Sequence, residues 1–462
     1  MKRLLAVLYL CFGSVVVANA QTVRPFKQGD RVVFTGNSIT DGGHYHSYIW
    51  LYYLTHYPNM RFRVFNAGIG GDVAQQIYDR LDSDIFVHKP TLVTLTFGMN
   101  DTGYQNLPKD KADSTYKALI AKSLASFKLI EDKLKQHPEA DKVMIASSPY
   151  DETSTIKATP FKDKNAAIMK IAQQQQLVAT QNKWSYLDFN TPMLQINARE
   201  QQRDPMFTLQ GSDRIHPSND GQMVMAYVFL KAQGLANNKV AKVVINPAAK
   251  KAETAENCVV TQVNVTPSSI KFNYLAKSLP YPTDTIPSGW GSPQKSQRQA
   301  LPLIPFTDEF NQEILQVKGL QSAQYQLKID DKPIGTFAAA DLEKGLNLAT
   351  LTNTPQYQQA MSVMLLNEER WEIERRFREY YWIEYVVLKP KGLLFNDSEA
   401  VADSVQTEAK KNFFIAMSLS SYRKARFKSV RDTWNKEMDL LIDQMYTINK
   451  PVTRHFELVA VK

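Results

Sequence analysis

The sequence predicts an α/β fold with a parallel sheet covered by helices, followed by a β-rich unit and a charged helical C-terminal extension. Three observations favour this prediction. Short apolar runs alternate with amphipathic stretches over residues 28–237, period-two alternation dominates much of residues 250–350, and residues 355–462 are mainly helical in pattern and rich in charge. Strands and helices that alternate along a chain form a parallel sheet buried on both faces.

The first region contains five short runs rich in β-branched and aromatic residues. The predicted strands are Val32–Phe34, Arg61–Phe65, Leu92–Phe97, Val143–Ala146 and Tyr186–Phe189. Helical patterns lie between or after them, at 44–56, 73–85, 111–136, 161–182 and 218–233. Ligand sites in such sheets lie at the carboxyl ends of the strands, so functional residues are expected in the loops that follow each strand.

The second half of the chain begins with residues 246–251, which resemble a linker. Strand-like runs follow at 258–265 and 269–274, and residues 279–305 read as a long loop with Trp290. A small antiparallel unit with a turn at Asp331 is predicted from three alternating runs, Ile314–Val317, Tyr325–Ile329 and Ile334–Phe337. Helices are predicted mainly over 367–385 and 408–445, before a short strand at 455–458.

Residues 1–20 have the pattern of a secretory signal peptide. Lys2 and Arg3 precede an apolar run, and Ala18-Asn19-Ala20 is typical of a cleavage site. The apolar run is short for a membrane span, so no stable membrane insertion is expected. Whether Cys11 carries a lipid is left open, although Leu8-Tyr9-Leu10 lacks the small residues of such a site. A bacterial secreted or periplasmic location is therefore predicted.

Cysteine content and charge indicate how the mature chain is stabilised and which partners it binds. With the signal removed, Cys258 is the sole cysteine, so the stability of the mature chain must come from its core rather than from an internal disulfide. The formal net charge of +9 includes Lys2 and Arg3, and the remaining excess of about +7 is interspersed with acidic residues. No nucleic-acid-binding motif accompanies this positive charge, so nucleic acid is not expected as a partner. The sequence leaves the oligomeric state open.

Four segments together supply the parts of an acyl-transfer site. Ser38 in Gly36-Asn37-Ser38-Ile39-Thr40 is a candidate nucleophile, and His216 is the candidate base because, of seven histidines, it alone has an acid three residues ahead and a proline directly behind. Asp213 would orient His216, while Gly71 and Asn100 would donate hydrogen bonds to the oxyanion. Each segment alone is more typical of a helix cap or a turn.

These residues resemble the blocks of the SGNH hydrolases, also called GDSL-type esterases. Ser38, Gly71, Asn100 and His216 match the four letters of the family name, and Asp213 matches the acid of the last block. The resemblance covers residues 31 to about 235 and implies a flavodoxin-like three-layer fold. It also implies ester hydrolysis through an acyl-enzyme, with Ser38, Gly71 and Asn100 in the oxyanion hole, and without metal or cofactor. Asn37 and Ile39 depart from the commonest first block.

The leading functional hypothesis is a secreted carbohydrate esterase that removes small acyl groups, with acetyl the favoured one, from an acylated polysaccharide or oligosaccharide. Tyr45, Tyr48, Trp50 and Tyr104 are candidates to stack on sugar rings, although Tyr48 and Trp50, spaced along a helix with Ile49 and Tyr52, are more typical of a helix core. Two alternatives stay open: a lipid esterase or thioesterase with the same triad, and a non-catalytic protein that binds glycans through residues 240–462. Because a neutral His216 must act as base, activity is expected to rise with pH.

Overall fold

A five-stranded parallel sheet is the centre of the first half of the molecule. The computed structural model describes residues 23–106, 109–287 and 293–461, and the side chains of 109–112 are not included. The signal-like segment, Cys11 and Trp290 lie outside these residues. The strands are β1 (Arg31–Gly36), β2 (Arg63–Gly68), β3 (Leu92–Phe97), β4 (Asp141–Ala146) and β5 (Ser185–Asp188). Their order β2-β1-β3-β4-β5 confirms the predicted flavodoxin-like fold.

Helices cover both faces of this sheet. They are α1 (Ser38–Asp41), α2 (Tyr45–His56), α3 (Ala74–Asp79), α4 (Lys109–Lys135), α5 (Lys164–Asn182), α6 (Asn190–Glu200) and α7 (Asn219–Ala232). Along β1, Val32 and Phe34 join the apolar core that includes α2 and α7, while Val33 joins the core that includes Phe127 and Ile130 of α4. This alternation buries both faces of β1, as expected for a parallel strand.

The strands after residue 240 form two further sheets. They are β6 (Ala241–Asn246), β7 (Lys251–Glu256), β8 (Cys258–Val265), β9 (Ser269–Ala276), β10 (Glu313–Val317), β11 (Gln324–Ile329), β12 (Lys332–Ala338), β13 (Leu346–Asn347) and β14 (Arg454–Ala460). One sheet has the order β13-β10-β6-β7 and the other β12-β11-β14-β9-β8. The β-rich unit thus includes residues on both sides of the expected 250–350 range.

Two expectations for this unit were wrong. Residues 246–251 are not a linker, because they connect β6 and β7 as an antiparallel hairpin. Strand β10 does not join the antiparallel meander but pairs in parallel with β6. The predicted hairpin of β11 and β12 is present, and Asp330 and Asp331 both have positive φ, of 51° and 62°. That conformation suits a tight hairpin turn and the Asp side chain tolerates it.

The helices of the second half are α8 (Phe306–Phe310), α9 (Ala339–Lys344), α10 (Pro355–Trp382), α11 (Glu399–Ala409), α12 (Phe413–Ala425) and α13 (Lys428–Ile448). Helix α10 continues as a π-helical turn at Ile383–Leu388. The predicted helix over 408–445 is divided among α11, α12 and α13. Asn412 caps the start of α12 through its side chain, and Phe427, whose backbone is extended, separates α12 from α13. Among the described residues, no helix has the length and hydropathy needed to cross a bilayer.

The segment 279–305 is packed against the first half of the molecule. Tyr281, Ala300 and Ile304 are buried in the same core as α2 and α7, and Gln297–Ala300 forms a 3₁₀ turn. The described parts of this segment are therefore not a free loop.

Candidate active site

Ser38 lies in the first turn after β1, at the carboxyl end of the sheet. Asn37 caps the short helix α1 by accepting a hydrogen bond from the N–H of Ile39, which leaves Ser38 as its first residue. Gly36 is required for this turn, because a Cβ there would lie 2.3 Å from Oγ1 of Thr40. The Ser38 side chain is thereby held against the sheet edge, largely buried.

His216 and Asp213 reach Ser38 from the loop before α7. The His216 Nε2 is 2.8 Å from Ser38 Oγ, and its Nδ1 is 2.5 Å from Oδ2 of Asp213. The other Asp213 oxygen accepts the backbone N–H groups of Ile215 and His216 at 2.9 and 3.0 Å. Burial raises the pKa of Asp213, but these hydrogen bonds outweigh it and leave the pKa below its usual value. Asp213 therefore stays ionised beside the ring.

Arg214 anchors this loop from within. It has a positive φ of 68° and its side chain is buried. The guanidinium donates to three backbone carbonyls of the neighbouring loop, those of Ala158 at 2.7 Å, Asp151 at 3.0 Å and Ile156 at 3.2 Å. Sequence reasoning missed this residue, because an arginine inside Asp-x-x-His is typical of an exposed loop position.

Gly71 occupies a turn after β2, on the same rim. Its φ of 89° is the left-handed region that favours glycine, and a Cβ there would have no neighbour within 4 Å. Helix α3 begins shortly after this turn, at Ala74, with Val73 as its N-cap residue. Among the described residues, neither its N–H nor that of Ser38 donates a hydrogen bond within the protein.

Asn100 follows β3 and presents a side-chain amide. Its Nδ2 donates to the carbonyl of Asp72 at 2.9 Å, and its Oδ1 accepts from the Tyr104 hydroxyl at 2.5 Å. An amide nitrogen has two hydrogens, so one remains for a ligand. The next residue, Asp101, accepts the N–H groups of Gly98 and Ala74, both at 3.0 Å, and thereby joins this turn to α3.

The aromatic residues considered for sugar stacking separate into two groups. Tyr45, Tyr48 and Trp50 are buried in the core of α2, so their proposed role on the surface was wrong and the helix-core interpretation holds. Tyr104 is 42% exposed and remains next to Asn100.

No cluster of three or more His, Cys, Asp and Glu residues within the described ranges is arranged to bind a metal ion. The arrangement that is present joins a hydroxyl, an imidazole and a carboxylate in one hydrogen-bonded chain beside hydrogen-bond donors. Such a chain increases the nucleophilicity of the hydroxyl, and the donors favour negative charge on an oxygen. A parallel α/β fold that carries such a site places this protein in the class of ester hydrolases.

Comparisons with known proteins identify the family. The model of the GDSL-like Lipase/Acylhydrolase family matches residues 34–224, and that of the Diltiazem deacetylase C-terminal helical domain matches residues 361–450. A solved structure of a gut microbial diltiazem-metabolizing enzyme is 50% identical, with a TM-score of 0.93, over 96% of this chain and 100% of that one. The chain belongs to the GDSL-like lipase/acylhydrolase family and is an ester hydrolase.

A curated relative covers less than half of the chain. It is an acetylxylan esterase of Geobacillus stearothermophilus, 25% identical over 226 residues, which are 45% of this chain and 94% of that protein. A structure of a catalytic mutant of an acetylxylan esterase from the same organism has a TM-score of 0.36 and 21% identity, over 45% of this chain and 96% of that one.

Proposed function

We propose that this protein is a serine acetylesterase in which Ser38 is the nucleophile, His216 the general base and Asp213 the residue that orients the base. The observation that supports this proposal is the unbroken chain of hydrogen bonds, 2.5 Å from Asp213 to His216 and 2.8 Å from His216 to Ser38. Its geometry matches the requirement that base and nucleophile lie within hydrogen-bond distance.

In the first half-reaction, Ser38 Oγ attacks the ester carbonyl while His216 Nε2 takes the hydroxyl proton. The carbonyl oxygen becomes an oxyanion, which accepts hydrogen bonds from the N–H groups of Ser38 and Gly71 and from the Asn100 amide. Asp213 stabilises the imidazolium that forms. The tetrahedral intermediate collapses when His216 returns the proton to the leaving alcohol, and the acyl group stays on Ser38.

In the second half-reaction, water replaces the alcohol. His216 removes a proton from this water, the resulting hydroxyl attacks the acyl-enzyme, and the same donors stabilise the second oxyanion. The proton then passes to Ser38 Oγ, which leaves as the free hydroxyl. Atoms balance as ester plus water giving acetic acid plus alcohol, and the acid then releases a proton to become acetate.

The acyl group proposed is acetyl, and the alcohol proposed is a sugar unit of a glycan outside the cytoplasm. Acetyl is supported by two relatives whose names specify it, the acetylxylan esterase and the Diltiazem deacetylase domain model. The glycan is supported by the first of these relatives and by the signal-like pattern of residues 1–20. Cell fractionation checks the location: the mature protein should be found in the periplasm or the medium.

A second candidate alcohol is an apolar, ring-containing one. Three large apolar side chains of α12 are exposed, Phe413 at 71%, Phe414 at 61% and Met417 at 57%. The Phe414 ring lies 6.4 Å from that of Trp382, which itself contacts Gly70 next to the oxyanion donor. The relative at 50% identity is described as metabolizing diltiazem, which agrees with such a surface.

A single panel separates these candidates. Acetate release is measured from acetylated xylan, acetylated pectin and acetate esters of aromatic alcohols, with Ser38→Ala as the inactive control. Preference for the polysaccharides supports the glycan, and preference for the aromatic acetates supports the second candidate. Absence of Ser38-dependent acetate release from every member contradicts the acetylesterase proposal.

Two further measurements test the other functions. Faster hydrolysis of the octanoyl than of the acetyl nitrophenyl ester would indicate a lipid esterase or thioesterase. Glycan affinity combined with hydrolysis no faster than that of Ser38→Ala would indicate a binding protein.

A further inference from the structure

One face of helix α10 contacts the loop that carries Gly71. Side chains four residues apart share a helix face, and the row in question consists of Glu374, Arg378 and Trp382. Glu374 accepts the backbone N–H of Asn66 at 2.9 Å, and Arg378 donates to both Asp84 oxygens at 2.8 and 3.0 Å. Trp382 donates its indole N–H to the carbonyl of Gly70 at 3.0 Å.

The Gly70 carbonyl belongs to the same peptide group as the Gly71 N–H. A peptide group is planar and trans, so its C=O and N–H point in opposite directions. A hydrogen bond that fixes the direction of the Gly70 carbonyl therefore fixes the direction of the Gly71 N–H. In this structure the bond comes from Trp382, on the C-terminal helical extension rather than on the α/β domain.

Other contacts hold the neighbouring atoms of the loop. The N–H of Gly70 donates to Oδ2 of Asp41 at 2.9 Å, and the N–H of Ile69 donates to the carbonyl of Gly36 at 3.1 Å. The Trp382 ring also packs on Gly70, since a Cβ there would lie 3.6 Å from two ring atoms. Within the loop, the peptide that carries the Gly71 N–H is thus the one bound by the extension.

We propose that Trp382 is a positioning residue for ester hydrolysis. Its indole N–H orients the Gly70–Gly71 peptide and polarises it, because a hydrogen bond accepted by the carbonyl strengthens the N–H at the other end as a donor. This inference rests on the proposed function, in which the Gly71 N–H stabilises the oxyanion. The helical extension then contributes to the reaction chemistry without touching the substrate through this residue.

The variant Trp382→Phe keeps an aromatic ring and removes the N–H. We expect kcat for an acetyl nitrophenyl ester to fall about 10-fold with KM nearly unchanged, because the lost interaction acts on the transition state rather than on substrate binding. The matched control is Trp434→Phe, the same substitution in the same helical extension, where the ring packs against Phe377 at 5.5 Å and away from the loop. That control should retain wild-type kinetics.

A second readout distinguishes oxyanion stabilisation from general damage to the site. A thionoester places sulfur, a weak hydrogen-bond acceptor, where the oxyanion would form. The ratio of kcat/KM for the ester to that for the thionoester should therefore fall in Trp382→Phe. Structural damage would lower both values and leave the ratio unchanged.

If Trp382→Phe does not fold, incorporation of 3-benzothienylalanine at position 382 replaces the N–H by sulfur with almost the same shape. Wild-type kcat in either variant, or a reduced kcat with an unchanged ester-to-thionoester ratio, would overturn the role of Trp382. Activity that survives Ser38→Ala would instead refute the proposed function. Because Ser38→Ala is assayed on the same substrates, the two failures are distinguishable.

Discussion

The two oxygens of Asp213 perform separate tasks, and Asp213→Asn separates them. The Asn carbonyl can replace Oδ1, which accepts the N–H groups of Ile215 and His216. Its amide would then face Nδ1 of His216, where Oδ2 now lies at 2.5 Å. Because an amide nitrogen donates, the ring must accept at Nδ1 and carry its proton on Nε2. In that tautomer Nε2 cannot take the proton of Ser38.

The expected loss of kcat in Asp213→Asn depends on this tautomer of His216 and on the solvent exposure of the Asp213 side chain. The same exchange in a fully buried triad lowers kcat about 10⁴-fold. The Asp213 side chain is 42% exposed, so water can partly replace the carboxylate. We therefore expect kcat to fall by about 10²- to 10³-fold, or about 3 to 4 kcal/mol of transition-state stabilisation, with KM within about twofold of wild type.

Asp213→Ala is the matched comparison. It removes both tasks, including two backbone hydrogen bonds of about 1 kcal/mol each, so the free energy of unfolding should fall by up to about 2 kcal/mol. Asp213→Asn should keep the wild-type stability. The assay is steady-state hydrolysis of an acetyl ester together with urea unfolding of the three proteins. Wild-type kcat in Asp213→Asn would refute the tautomer reasoning and leave Asp213 only as the cap of the loop.

Three further predictions concern neighbouring parts of the site. Asn100→Ala should lower kcat by about 10²- to 10³-fold with little change in KM, measured by steady-state kinetics, because one oxyanion donor is lost; a change mainly in KM would contradict that role. Arg214→Met should lower kcat and also increase proteolysis within residues 151–158, because three backbone carbonyls lose their donor; an unchanged cleavage pattern would contradict its role as an anchor. Burial raises the pKa of Asp84, but the charges of Arg378 and Arg80 lower it to about 2. The stabilisation that ionised Asp84 gives to the folded protein is thus complete above about pH 4, near the pKa of an unfolded Asp, and is lost towards pH 2. In urea unfolding, Asp84→Asn should be less stable than wild type at neutral pH, and the difference in unfolding free energy should narrow between about pH 4 and 2. A difference that stays constant with pH would contradict the prediction.

The α/β domain was predictable because its signals are local. Each strand of the parallel sheet is a short apolar run, and β3 coincides with the predicted Leu92–Phe97. The sequence also placed Ser38, Gly71 and Asn100 directly after strands that lie side by side, so their meeting at one rim follows from topology. Helix α6 was missed, since its polar composition lacks a clear apolar period.

The second half was predictable only in part because its pairing is not local. The parallel pairing of β10 with β6 joins segments separated by three strands and by the 279–305 segment, and no residue pattern specifies such a partner. Likewise, Trp382 is more than 300 positions from Gly70 in the sequence, and a tryptophan in a helical pattern predicts only burial. Contacts of this kind become visible only when the chain is folded.

Strand β14 has a consequence for the order in which this protein is assembled. It lies between β9 and β11 and pairs with both, yet it follows α10, α11, α12 and α13 in the chain. During synthesis β9 and β11 emerge long before the strand that joins them, so their sheet cannot close until all four helices have been made. The helical segment is then held at both ends by the β-rich unit. A shortened chain that lacks 454–460 should therefore leave that sheet divided, even though the five strands behind the candidate active site are complete.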